Sequence, residues 1–214
     1  MLTTVFFDLD GTLTDSCPGI FAGAAYALTA LGYPTRPEEV SSAFIGPPLY
    51  DCFREVYRLG EEEARRAVTL YREYYGERGI FENRVYDGIL PMLSELASSG
   101  FSLYLATGKP VAYARRIVSH FGLDRYLTEV FGAEFDGTRG DKAELLSYAL
   151  GVTGKSAAES VMVGDRSYDM RGAVATGITP LGVLWGYGDE AELVAAGGHL
   201  MARTPRDVVR LLRS

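Results

Sequence analysis

Three scarcities frame this chain of 214 residues: little lysine, little cysteine and histidine, and no long apolar run. The two cysteines, Cys17 and Cys52, stand at no metal-ligand spacing and read as ordinary reduced thiols of an intracellular protein. The two histidines, His120 and His199, have no partner pattern for a zinc site or a nucleophilic triad and read as structural. The N-terminal apolar run meets Asp8 at once, so no secretory signal is expected. The longest apolar-looking stretch, "IFAGAAYALTALGY", is too short and too rich in small residues to span a bilayer. A cytoplasmic protein without a membrane partner is the expectation. The net charge of −7 argues against broad binding to nucleic-acid polymers, but not against a small anionic substrate, for which the local field decides.

What is present is a globular composition, 47% hydrophobic and 23% charged, and a length that suits one good-sized core or a core with a small second domain. Five apolar runs read as strands: 4–7, 101–106, 129–133, 160–164 and 180–184, with a weaker sixth at 199–202. Most are continuous rather than alternating, which suits strands covered on both faces. Helical patterns, several ending in glycine, alternate with them, so the expected core is a doubly wound parallel α/β sheet. The stretch 16–86 breaks the alternation. It reads as four helices, at about 18–31, 37–43, 49–58 and 61–77, and no strand. The expected organisation is therefore a core of residues 1–15 and 87–214, with an all-helical insert at 16–86.

The chemistry is sought where such sheets bind ligands, outside the carboxyl ends of the strands. After the first strand, "TVFFDLDGTLTD" delivers Asp8 and Asp10. After the second, "ATGKP" delivers Thr107, Gly108 and Lys109. Before the helix that follows the third stands Lys142, and after the fourth, "GDRSYD" delivers Asp165 and Asp169. An aspartate after a strand is commonly a helix cap or turn residue, and a lone lysine commonly lies on the surface. All of them at one sheet edge is another matter, and two of only three lysines, against eighteen arginines, belong to the set. Converging carboxylates demand a hard cation, and an oxygen-rich site favours Mg²⁺. A carboxylate can attack phosphorus, and a second carboxyl can protonate the leaving oxygen and then activate water.

In type and order, "DLDGT", Thr107, Lys142 and "GDRSYD" resemble the four motifs of the haloacid dehalogenase (HAD) superfamily, over essentially the whole chain, and the insert resembles that family's helical cap. The resemblance implies a Mg²⁺-dependent phosphomonoester hydrolase. Asp8 is implied as nucleophile and metal ligand, and Asp10 as acid/base with its carbonyl on the metal. Thr107, Gly108 and Lys142 are implied at the phosphoryl group, and Asp165 and Asp169 as further metal ligands. Gly108 stands where relatives often carry Asn or Ser, a position that offers mainly its backbone N–H. "FIGPPL" and "GVLWGYG" are similar to the phosphoglycolate phosphatase and 5′-nucleotidase branch, so a small phosphate ester is the expected partner, with Arg54 in the cap a candidate specificity residue. Thr12 and Asp15 either brace the first motif or are ordinary turn residues.

Other readings fit less well. "ALGVTGKS" nearly matches a nucleotide-binding loop but follows a helix and precedes a strand, the reverse of what that loop requires. A signalling receiver domain is similar in combining an acidic cluster, Thr and Lys on such a sheet, but that resemblance implies a phosphoacceptor on a middle strand after an adjacent acidic pair, whereas here the Asp pair follows the first strand. Asp10 argues against dehalogenation, and a cap without lysine argues against Schiff-base chemistry. A sugar phosphomutase, sharing all four motifs, stays as the alternative.

Overall fold

A computed structural model describes residues 2–213. The run "TVFF" becomes β1 (Thr4–Phe7), buried throughout. A two-residue strand, β2 (Thr14–Asp15), follows and pairs with β3 (Arg84–Val85), so the stretch expected to hold no strand ends in one. The remaining strands are β4 (Ser102–Pro110), β5 (Glu129–Ala133), β6 (Ser160–Gly164), β7 (Thr179–Val183) and β8 (Leu200–Ala202). With β1 they form one parallel sheet in the order β5-β4-β1-β6-β7-β8. β1 lies in its interior, at the place where the chain stops building to one side and starts building to the other.

Strand parity sorts the core. Phe6, Tyr104 and Met162 stand in register across β1, β4 and β6 and share one face. There they pack with Phe131, Leu145, Leu146, Ala149 and Ala173, from α6 (Lys142–Thr153), α7 (Ser167–Thr176) and the sheet itself. Phe6 stacks on Tyr104 with ring centroids 5.3 Å apart. Val5, Phe7, Leu103, Leu105, Val161 and Val163, of the opposite parity, are equally buried, so the sheet is covered on both faces. The other helices of this part are α4 (Ile89–Ser98), α5 (Val111–His120), α8 (Glu190–Ala195) and α9 (Pro205–Arg213). The sequence reading omits α8, although Asp189 caps it by accepting from the Glu192 amide at 2.8 Å. β4 outruns its expected end at 106, and its register with β5 shifts between Thr107 and Pro110. "TGK" therefore sits in an irregular strand end rather than a free turn.

The described chain divides into two compact units, residues 2–14 with 85–213, and Asp15–Arg84. The second is built on α1 (Cys17–Ala30), α2 (Leu49–Glu55) and α3 (Glu61–Tyr74). Its interior is aromatic: Tyr71 stacks on Tyr75 at 5.1 Å, and Phe44 meets Phe53 edge-on at 5.0 Å. The helix expected at 37–43 is instead two short 3₁₀ turns, Pro37–Glu39 and Ser42–Phe44, separated by extended Val40 and Ser41. The Ser41 side chain accepts from the Ala43 amide and starts the second turn, a local bond that competes with a continuous helix. The helix expected to reach 77 stays α-helical only to Tyr74 and widens into a π turn over Tyr75–Gly79, with the Ile80 amide reaching the Tyr75 carbonyl. Gly76 and Gly79 fall in that segment, where helix propensity is poor. Among the described residues, no helix is long and apolar enough to cross a membrane.

Candidate active site

The Asp8 amide donates to the Val163 carbonyl at 2.9 Å, which carries the β1–β6 ladder one residue past the strand. Asp8 has the parity of Phe6, the face covered by α6 and α7, and both helices begin with charge. Lys142 opens α6, and its ammonium lies 2.9 Å from Asp8 Oδ1, 2.8 Å from Asp169 Oδ1 and 2.8 Å from the Ala106 carbonyl. Asp169 lies in the first turn of α7 and accepts from the Arg166 amide at 3.1 Å. Asp165 follows β6 and is fully buried. It accepts from the Thr12 hydroxyl at 2.9 Å and from the Tyr187 amide at 2.8 Å.

Between Asp8 and Thr14 the chain makes a tight turn in which the Leu13 and Thr14 amides both reach the Leu9 carbonyl. Gly11 adopts φ +81°, and a Cβ there would stand 2.1 Å from Asp165 Oδ2, so only glycine lets the two motifs meet. Asp10 lies within this turn, bridged to Thr14, and its side chain pairs with Lys109 at 2.9 Å.

Asp8, Asp165 and Asp169 each place a carboxylate oxygen within 4.8 Å of the others, and all three are buried. Burial, then the charges of Asp169 and Asp8, push the Asp165 pKa up to about 8. Burial also raises Asp169, against the pull of Lys142. Burial alone would lower Lys142, but Asp169 and Asp8 outweigh it and hold its pKa above the ordinary lysine value. Asp8 and Asp169 face the Lys142 ammonium, and ionising all three carboxylates at this buried edge would leave negative charge uncompensated. This hard, all-oxygen donor set fits a divalent cation such as Mg²⁺.

The fold accordingly brings Asp8, Lys142, Asp165 and Asp169 together. Asp10 and Thr107 stand on neighbouring segments of the same edge. Thr107 is buried, its hydroxyl accepting from the Lys109 amide at 3.2 Å, while Gly108 is exposed. Thr12 braces Asp165, and Asp15 pairs with Arg84 at 3.0 Å. Arg54, in the helical unit, directs Nη1 to the Leu59 carbonyl at 2.7 Å.

Two supports escape a reading of motifs alone. Trp185 Nε1 donates to the Thr12 carbonyl at 2.9 Å, beside the Tyr187 amide already on Asp165. A Cβ on Gly186 would meet the Gly11 carbonyl at 2.4 Å, and one on Gly188 the Asp165 carbonyl at 2.1 Å. The signal is an aromatic pair interleaved with glycines. Glu192 accepts from the Ser167 amide at 2.8 Å and from Arg166 Nε at 3.0 Å, bracing the loop between Asp165 and Asp169. No local pattern announces that contact.

The chain is also similar to known proteins. The haloacid dehalogenase-like hydrolase pattern matches residues 5–183. A 5′-nucleotidase of Pseudomonas aeruginosa is 44% identical over 191 residues, covering 89% of this chain and 86% of that protein. The tyrosine-protein kinase PtkA of Mycobacterium tuberculosis is 42% identical over 184 residues, which cover 86% of this chain but only 62% of PtkA. The crystal structure of a predicted phosphatase from Clostridium acetobutylicum superposes with a TM-score of 0.92 at 36% identity, covering 100% of both chains. With the first motif, the buried carboxylates and the parallel sheet in the expected relation, the chain belongs to the haloacid dehalogenase-like hydrolase family and is an enzyme of the phosphatase kind.

Proposed function

We propose that the chain is a Mg²⁺-dependent phosphomonoester hydrolase that works through an aspartyl-phosphate on Asp8. The observation that carries this reading is the buried triad Asp8, Asp165 and Asp169 at the carboxyl end of the central strand, with Lys142 paired to Asp8 and Asp169. Lys142 binds Asp8 through Oδ1, so Oδ2 is the oxygen that attacks phosphorus. Lys142, the Thr107 hydroxyl and the Gly108 amide hold the phosphoryl oxygens. Asp10 gives its proton to the leaving oxygen as the bond to phosphorus breaks. It then takes a proton from the water that attacks the acyl phosphate, which releases phosphate and restores Asp8. Asp8, Asp165, Asp169 and the Asp10 carbonyl would hold Mg²⁺, which when bound offsets the negative charge shared by carboxylates and phosphate.

The helical unit is read as a cap that contributes specificity, with Arg54 as a contributor. The substrate class is a small phosphorylated metabolite resembling a nucleoside monophosphate or phosphoglycolate, a reading supported by the 5′-nucleotidase relative. The experiment is phosphate release from a panel of nucleoside monophosphates, phosphoglycolate and sugar phosphates, with Mg²⁺ and after chelation, together with mass spectrometry of acid-quenched enzyme. Chelation should remove activity, Mg²⁺ should restore it, and the quenched enzyme should carry phosphate on Asp8. Full activity after exhaustive chelation, or phosphate on another residue, would overturn the reading.

A further inference from the structure

We propose that Lys109 is the positioning residue for Asp10, holding one carboxylate oxygen so that the other faces the leaving group. The inference rests on the reading of Asp10 as acid/base and goes beyond it, since nothing in that chemistry requires a second buried lysine.

Three observations converge. The Lys109 ammonium lies 2.9 Å from Asp10 Oδ2, and the lysine side chain is only 6% exposed. Lysine is long and flexible and normally keeps its ammonium in water, so its confinement costs rotamer freedom and hydration. The other oxygen, Asp10 Oδ1, is buried and has no hydrogen-bond partner among the described residues. A buried acceptor left unmade is unfavourable, and such atoms call for an explanation. Here it is the oxygen presented to a substrate. Finally, Lys109 occupies the irregular end of β4, where the register with β5 shifts between Thr107 and Pro110 and the Lys109 amide bonds the Thr107 hydroxyl. Irregularities of this kind re-aim side chains beside active sites. This one carries the Lys109 side chain to the turn that follows β1. Exposed ion pairs hold little, but a pair this sheltered can fix a rotamer.

The test is a double-mutant cycle on the full chain with Mg²⁺, using Lys109→Met, Asp10→Asn and the double variant. Each is assayed on an alkyl phosphate and on an activated aryl phosphate. Lys109→Met should lower kcat on the alkyl phosphate by about ten- to a hundredfold, part of what general acid catalysis contributes. The loss should be much smaller on the aryl phosphate, and KM should move little. Adding Lys109→Met to Asp10→Asn should change kcat less than about twofold, because the lysine acts only through Asp10. Lys109→Arg, which keeps the charge, should recover part of the lost rate, and it replaces Lys109→Met in the cycle if that variant fails to fold by circular dichroism. An equal added loss in the Asp10→Asn background, or a raised KM with kcat unchanged, would overturn the inference by showing that Lys109 binds the substrate itself. Equal losses on both substrates for Asp10→Asn would instead overturn the acid/base reading, and this inference with it.

Discussion

In the unit built on the sheet, Asp8, Lys142, Asp165 and Asp169 are buried against one another, whereas in the helical unit every charged residue reaches solvent. All three lysines lie in the sheet unit and none in residues 15–84. Ion pairs of the helical unit such as Arg36 with Glu38 and Glu39 are exposed, Arg84 reaches a partly sheltered Asp15 from solvent, and the interior is held by aromatic packing around Tyr71, Tyr75, Phe44 and Phe53. Exposed pairs contribute little to stability, and unpaired buried charges oppose it. A cluster of carboxylates that raises the pKa of its own members is therefore not there to hold the sheet together. The difference separates a region where charge is concentrated at a cost to folding from one where charge is surface and stability is packing.

The sharpest way to break that contrast is Asp8→Asn. Turnover should fall below detection while circular dichroism stays unchanged, because the amide cannot attack phosphorus. A folded variant that retains substantial phosphate release would place the chemistry elsewhere. Next in size is Lys142→Ala. Losing the ammonium from this dry site should cost about 2–4 kcal/mol in the transition state, by analogy with the loss of one oxyanion donor. That is about a hundred- to a thousandfold in kcat/KM. Lys155, which bonds the Ser102 hydroxyl at 3.1 Å near the start of β4, is the control, and Lys155→Ala should leave kcat/KM nearly unchanged. If the control is the more damaged enzyme, the site is misassigned.

A smaller effect follows from pH. Burial, with Asp169 and Asp8 beside it, holds the Asp165 pKa at about 8 without metal, so below that pH a metal ion must displace a proton. Mg²⁺ affinity measured by calorimetry should weaken by up to about tenfold per pH unit on going down from 8, and level off above it. An affinity constant from pH 6 to 8.5 would show that Asp165 is ionised before the metal arrives. Smallest of all, Arg54→Ala should raise KM a few-fold with kcat within about twofold, the pattern of lost uniform binding. A collapse of kcat instead would mean that the helical unit reaches the chemistry itself.

Much of the sheet unit is legible because its signals are local. Continuous apolar runs mark β1 and β6, and polar motifs mark the strand ends. The helical unit is less legible. The patterns at 37–43 and 75–77 carry helix-like periodicity, but Ser41 captures the Ala43 amide in one, and Gly76, with Gly79 just beyond, weakens the other. Glu192 is illegible for a different reason, since its carboxylate meets Ser167 across 25 residues that no spacing rule connects.

The sequence alone determined that carboxylates, a threonine and lysines would crowd one sheet edge. Hydrophobic periodicity and strand-end composition act over a few residues, and the topology of open parallel sheets does the rest. It did not determine which lysine serves which aspartate. Lys142 reaches Asp8 across 134 positions because β4 and β6 flank β1 and α6 begins beside Asp8. Lys109, equally close in composition and motif, is turned to Asp10 by the irregular end of β4. Pairing of this kind depends on strand order, side-chain parity and one shifted register, and these exist only once the sheet has closed over its core.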